Sequence, residues 1–291
     1  MPCFKKGAII NAVKIRNFGS EIEFTNNGNL SFFFLGIGNA FSKELSNTNL
    51  LIVKGKDHLL VDCGALTPLS FKKYNSKLSD VENIIITHAH ADHIGGLEEV
   101  ALLGRYITHK KPLLFAEKRF KNELWKQSLK GGLGLCGEEG QRQKLNFEDY
   151  FDWVQPVKMK NMPRPFFTVN IGSINVKIFR TKHEFISSNN WKTGMYSIGL
   201  LIDDRIVVSG DTKFDKPLLD YLTSNYKIEH IFHDCSFRES AVHTSYEELK
   251  SLPLEIRQKL TLCHYEDSMK DFDPVKDGFS GLGKAGIYYD F

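Results

Sequence analysis

A chain of 291 residues, 42% hydrophobic and 25% charged, has the length and mix of one large globular α/β domain or two small ones. A net charge of +3 does not demand a nucleic-acid partner, and no apolar run approaches the length that spans a bilayer. Five scattered cysteines (Cys3, Cys63, Cys136, Cys235, Cys263), with no Cys-x-x-Cys pair and no apolar signal stretch at the start, predict free thiols and a cytoplasmic location.

In chain order, β-branched and aromatic runs bounded by Gly, Asn or Asp predict strands over about 8–16, 31–35, 49–54 and 59–62. Residues 82–87 read as a buried strand, followed by a helix over about 94–104. Phe120, Leu124 and Leu129 predict another helix; the five glycines between Gly131 and Gly140 then predict a mobile loop. Strands resume over 166–170, 174–180, 198–202 and 205–208, then a helix over 216–224 and strands over 230–233 and 260–263. Two such halves imply a four-layer αββα sandwich, a single α/β domain over 1–291 with a Gly-rich, lid-like insertion at about 118–150.

Between the strand at 82–87 and the helix after it lies Thr-His-Ala-His-Ala-Asp-His, residues 87–93. In an extended loop, residues two apart point the same way, so His88 and His90 can reach one ion. Asp92 and His93 then face a second position, and nitrogen and oxygen donors without thiolate suit catalytic zinc. This His-x-His-x-Asp-His motif resembles the signature of the metallo-β-lactamase superfamily. Residues 34–38 (Phe-Leu-Gly-Ile-Gly) resemble that superfamily's opening strand and turn, and 61–64 (Val-Asp-Cys-Gly) its bracing element, with Asp62 as the brace.

The resemblance, running from about Leu30 to Tyr265, implies two metal ions, zinc with manganese as the alternative. It adds three ligands: His183 on the first ion, Asp211 bridging both and His264 on the second. His58, His109, His230 and His233 match nothing in the pattern and are expected as surface or core histidines.

Ser209-Gly210-Asp211-Thr212 and Val242-His243-Thr244-Ser245 resemble the phosphodiesterase branch, which includes RNase Z and cyclic-nucleotide phosphodiesterases. The branch implies that Asp92 and Asp211 hold the attacking water, that His243 contacts the scissile phosphate, and that Asp234 orients His243. RNase Z carries a long arm after its third metal histidine; residues 184–195 are too few for one. The better match is therefore an arm-less RNase Z-like phosphodiesterase of the phage and bacterial anti-Pycsar type, which destroys cyclic pyrimidine nucleotides. That implies a 3′,5′-cyclic nucleotide cleaved to a 5′ monophosphate by a cytoplasmic homodimer with no membrane partner. An RNA-processing nuclease and a metallo-hydrolase of a lactone or thioester remain the alternatives. Trp125, Trp191 and Tyr265 are the candidate platforms for a base, and the Gly-rich stretch the candidate cover.

Overall fold

The computed structural model describes residues 13–138, 141–183, 190–267, 269 and 272–291. Strands β1 (Lys14–Asn17), β2 (Ser31–Gly36), β3 (Asn49–Lys54), β4 (Asp57–Val61), β5 (Asn83–Ile85) and β6 (Leu113–Phe115) are followed by a hairpin of β7 (Leu135–Glu138) and β8 (Gln141–Lys144). Then come β9 (Asp152–Val154), β10 (Val157–Lys158), β11 (Phe166–Ile171), β12 (Ile174–Arg180), β13 (Ile198–Ile202) and β14 (Ile206–Val208). The chain closes with β15 (His230–Asp234), β16 (Leu260–Cys263), β17 (Gly281–Leu282) and β18 (Ile287–Asp290). One eight-stranded sheet has the order β1-β18-β2-β3-β4-β5-β6-β9, and the other runs β10 to β17 in sequence order.

Alternation along the strands decides the layering. In β2, Phe32 and Phe34 meet Phe232 of the other sheet, whereas Phe33 turns to Tyr74 behind helix α1 (Thr67–Lys73). In the second sheet, Leu200, Ile206 and Phe232 join the core that also holds Phe32 and Phe34. Their neighbours Leu201, Val207 and Ile231 pack instead with Leu218, Leu219 and Leu222 of the helix at Lys216–Asn225. A strand's side chains point to opposite faces, so each sheet buries one face on the other sheet and one under helices. The expected α/β sandwich is therefore the observed fold.

Three elements differ from expectation. A helical turn, α2 (Ala91–Ile94), starts before the expected helix, so Asp92 and His93 sit on it and α3 (Leu97–Leu103) follows after two glycines. The first expected strand is described only as β1, its residues 8–12 lying outside the described residues. The glycines expected in a loop are distributed through α5 (Lys130–Leu133), which follows α4 (Lys118–Glu123), and through the β7–β8 hairpin; residues 139–140 are outside the described set. Backbone pairing in a hairpin can hold glycine where its low propensity alone would not. Among the described residues, no helix is long and apolar enough to cross a membrane.

The remaining histidines divide as expected: His109 is exposed, and His58, His230 and His233 are buried. His230 shares a 2.8 Å hydrogen bond with the Thr261 hydroxyl, and burial pushes its pKa down to about 4. Folding thus favours the neutral ring, a contribution complete above the unfolded pKa of about 6.5 and lost as pH falls from there toward 4. His230→Gln should therefore be less stable than the parent at pH 7.5, and the gap should narrow by about 2 kcal/mol at pH 4.5 in denaturant titrations. A pH-independent gap would show that protonation of His230 is not linked to folding.

Candidate active site

The site is built at strand ends. Asp62 follows β4, the 87–93 motif follows β5, His183 follows β12, Asp211 follows β14, Asp234 ends β15 and His264 follows β16. Because β4–β5 and β14–β15–β16 are parallel pairs, most of these residues emerge at one edge of the sandwich. Carboxyl ends of parallel strands are where open α/β sheets place their ligands. Two glycines let the backbones close there. A Cβ on Gly64 would lie 1.9 Å from the Asp92 carbonyl oxygen. Gly210, at φ +60°, would bring one within 2.3 Å of the Ile198 carbonyl oxygen.

Asp62, in the left-handed region at φ +65°, fixes the first motif. Its carboxylate accepts from the Thr87 backbone N–H at 2.7 Å and from the Thr87 hydroxyl at 2.8 Å. The same carboxylate lies 2.7 Å from His93 Nδ1, leaving Nε2 to face the site. The Thr87 hydroxyl also lies 3.1 Å from His88 Nδ1, so the brace reaches two rings; sequence reasoning had assigned it to Asp62 alone. Thr87 stood next to the motif, but nothing in the sequence distinguished a relay hydroxyl from the polar end of a strand.

Two clusters of donor atoms result. In the first, His90 Nδ1 lies 2.9 Å from His88 Nε2 and 3.2 Å from His183 Nε2, with Asp211 completing the group. His183 Nδ1 is 3.2 Å from the Val242 carbonyl oxygen, which fixes the N–H on that side and the lone pair on Nε2. In the second cluster, His93 Nε2 and His264 Nε2 stand 3.3 and 3.4 Å from Asp92 Oδ2, and 3.4 and 3.3 Å from Asp211 Oδ2. Asp211 belongs to both clusters. All seven residues expected as ligands are thus brought together.

The donor set fits metal ions on its own chemistry. Three ring nitrogens aimed at one point cannot all share protons with one another. His93 Nε2 is buried and, among the described residues, has no hydrogen-bond partner. Burial drives the His88, His90 and His183 rings toward the neutral form a ligand needs, His183 to about 4. Burial also opposes charge on His93 and His264, but Asp211 and neighbouring carboxylates outweigh it and raise both, His264 to about 10. Burial works against the Asp211 carboxylate too, yet His264, His93 and His88 hold its pKa well below the usual range.

Beside the second cluster, His243 Nδ1 lies 2.9 Å from Asp234 Oδ2 and 3.9 Å from Asp211 Oδ2. Asp234 Oδ2 also accepts from the Thr212 backbone N–H at 2.9 Å, and Asp234 Oδ1 is 3.5 Å from His264 Nδ1. His243 Nε2 makes no hydrogen bond among the described residues. Burial lowers the proton affinity of His243, but Asp234 raises it further.

Two expected base platforms are corrected by the structure. Trp125 is buried against Phe147 and Tyr150, and Tyr265 is buried with its hydroxyl donating to the Gly283 carbonyl at 2.7 Å. Each satisfies the apolar interior rather than the site. Trp191 is half-buried, with the Lys192 ammonium 5.5 Å from its ring centre.

Residues 30–289 match the family model described as Anti-Pycsar protein Apyc1. The chain belongs to this family. It is 34% identical over 255 residues to Anti-Pycsar protein Apyc1 of Paenibacillus sp. (strain J14), covering 87% of this chain and 96% of that protein. The Apyc1 of Bacillus phage BSP38 is 35% identical over 246 residues, covering 82% and 90%. Among solved structures, the metallo-β-lactamase fold protein YhfI from Bacillus subtilis superposes with a TM-score of 0.63 at 15% identity, covering 90% of this chain and all of that one. Family and fold together make this an Apyc1-family chain with the metallo-β-lactamase fold.

The brace gives a prediction. Asp62→Ala strands the Thr87 hydroxyl and N–H and the His93 N–H in a buried pocket, and should cost about 3 kcal/mol in denaturant unfolding. Asp62→Asn, which keeps an acceptor and tolerates left-handed backbone, should cost less, and both should weaken metal binding by about 10–100-fold. Metal affinity unchanged in Asp62→Ala would remove the bracing role.

Proposed function

We propose that this Apyc1-family chain is a binuclear phosphodiesterase that opens 3′,5′-cyclic mononucleotides to 5′ monophosphates in the cytoplasm. The observation that carries it is the His243–Asp234 pair standing 3.9 Å from the one carboxylate, Asp211, that both donor clusters share. On this reading His88, His90, His183 and Asp211 hold one zinc or manganese ion, and Asp92, His93, His264 and Asp211 hold the other. When bound, such ions make a water acidic enough to attack near neutral pH and neutralise charge at phosphorus.

The chain's own groups supply the rest. Asp92 and Asp211 orient the attacking water, which releases one proton to solvent as its oxygen bonds to phosphorus and the P–O3′ bond breaks. Asp234 accepts from His243 Nδ1, so the ring's Nε2 faces the phosphate and gives its proton to the departing 3′ oxygen. The Thr212 N–H and the Val242 carbonyl keep Asp234 and His183 in register for these roles. The Gly-rich stretch of residues 131–140 as a cover over substrate and a homodimeric state belong to the same proposal.

Elemental analysis should find about two zinc equivalents per chain, and His90→Ala should bind less metal. With cyclic CMP or cyclic UMP as substrate, His243→Ala should lower kcat by about 10²–10⁴ and leave metal content unchanged. A wild-type rate in His243→Ala would sink the proton-donor role. If the metal-loaded protein ignores all cyclic nucleotides while trimming tRNA 3′ ends or opening a lactone, the substrate assignment falls.

A further inference from the structure

Next to His243 a cavity of about 460 Å³ is lined by Asn39, Phe41, Ser236, Arg238 and Ser240, with His243 itself at one wall. Drug-sized and nucleotide-sized ligands sit in clefts of about 300–1,000 Å³, so the space is sufficient for a base and its sugar. Phe41 stands out on this wall because it is 86% exposed while the chain around it is pinned. The Asn39 side-chain oxygen accepts from the Phe41 and Ser42 N–H groups at 3.0 and 3.1 Å. The Asp267 carboxylate accepts from the Ser42 hydroxyl and, at 2.8 Å, from the Lys43 N–H. The Glu266 carboxylate accepts from the Ser236 hydroxyl and, at 3.1 Å, from the Phe237 N–H.

These bonds hold the turn, and with it the Phe41 backbone, at the cavity that Phe41 lines. The cavity's charges set the direction of a ligand. Glu239, Glu266 and Asp267 outnumber Arg238 on the cavity wall and so disfavour a phosphate there, whereas the donor clusters beside His243, once loaded with cations, would attract one. We infer that the nucleoside end of the substrate occupies this cavity, with its base packed on the Phe41 ring and its phosphate directed past His243 to the donor clusters. Phe41 is therefore a specificity-determining residue that selects for a nucleobase, and this inference rests on the cyclic-nucleotide reading above. Stacking on an aromatic face tolerates every base, so the site distinguishes nucleotides from other phosphodiesters before it distinguishes one base from another.

The test compares ligands with and without a base on the metal-loaded protein. Isothermal titration with uridine 5′-monophosphate, adenosine 5′-monophosphate and ribose 5-phosphate is run on the parent, Phe41→Ala and Phe41→Trp. Phe41→Ala should bind both nucleotides about tenfold more weakly and ribose 5-phosphate as the parent does, with Phe41→Trp restoring the nucleotides. Nucleotide affinity unchanged in Phe41→Ala, or all three ligands weakened alike, would overturn the assignment while leaving the cyclic-nucleotide reading intact. If the parent binds nucleotides no better than ribose 5-phosphate, there is no base site; turnover of cyclic nucleotides by the same preparation then shows whether the functional reading also fails.

Discussion

The Asp211 carboxylate is the constraint around which the site is arranged. It is buried, and a buried anion is tolerated only when partners compensate its lost hydration. Histidine nitrogens stand around it: His264 at 3.3 Å, His93 at 3.4 Å, His88 at 3.7 Å and His243 at 3.9 Å. His88 and His93 follow β5, His264 follows β16, His243 lies in the loop after β15 and Asp211 follows β14, so the carboxylate is compensated only when both sheets are in register. The close approaches at Gly64 and Gly210, and the left-handed backbone at Asp62 and His264, are where the chain bends to meet that requirement.

Those same distances explain which parts of the protein were legible beforehand. His88, His90, Asp92 and His93 fall within six residues, so their chemistry could be read from spacing alone. His183, Asp211 and His264 are single residues at strand ends; only the resemblance to a known pattern separated them from turn residues, and the structure now brings them to the same place. Strands β2, β3, β12 and β13 were visible because they are long and apolar. Short strands such as β6, β9 and β17 were not, since two or three residues carry no period and their pairing partners are distant in sequence.

The aromatic residues show the opposite failure. Trp125 and Tyr265 were expected at the site because aromatic rings stack on bases, but the interior needs large apolar side chains first. Phe41 was not singled out, since an isolated Phe between Ala and Ser has no pattern around it. Its distinction is three-dimensional: exposure on a turn held by Asn39 and by Asp267, a residue more than two hundred positions away.

Charge then links the proposed chemistry to the kind of bond it acts on. The donor clusters contain two carboxylates, Asp92 and Asp211, alongside neutral-capable imidazoles. The two carboxylate donors alone cannot neutralise two divalent ions; with Asp62 and Asp234 counted, a protonated His243 is what leaves a loaded site cationic on the proposed reading. A cationic, largely buried site favours an anionic substrate over a neutral lactone, because the attraction is little screened away from water. On the same reading the neighbouring cavity, where three carboxylates outnumber Arg238, disfavours the phosphate end and leaves room for the base. On the proposed reading, the two halves of this cleft match a phosphodiester with one anionic and one aromatic end.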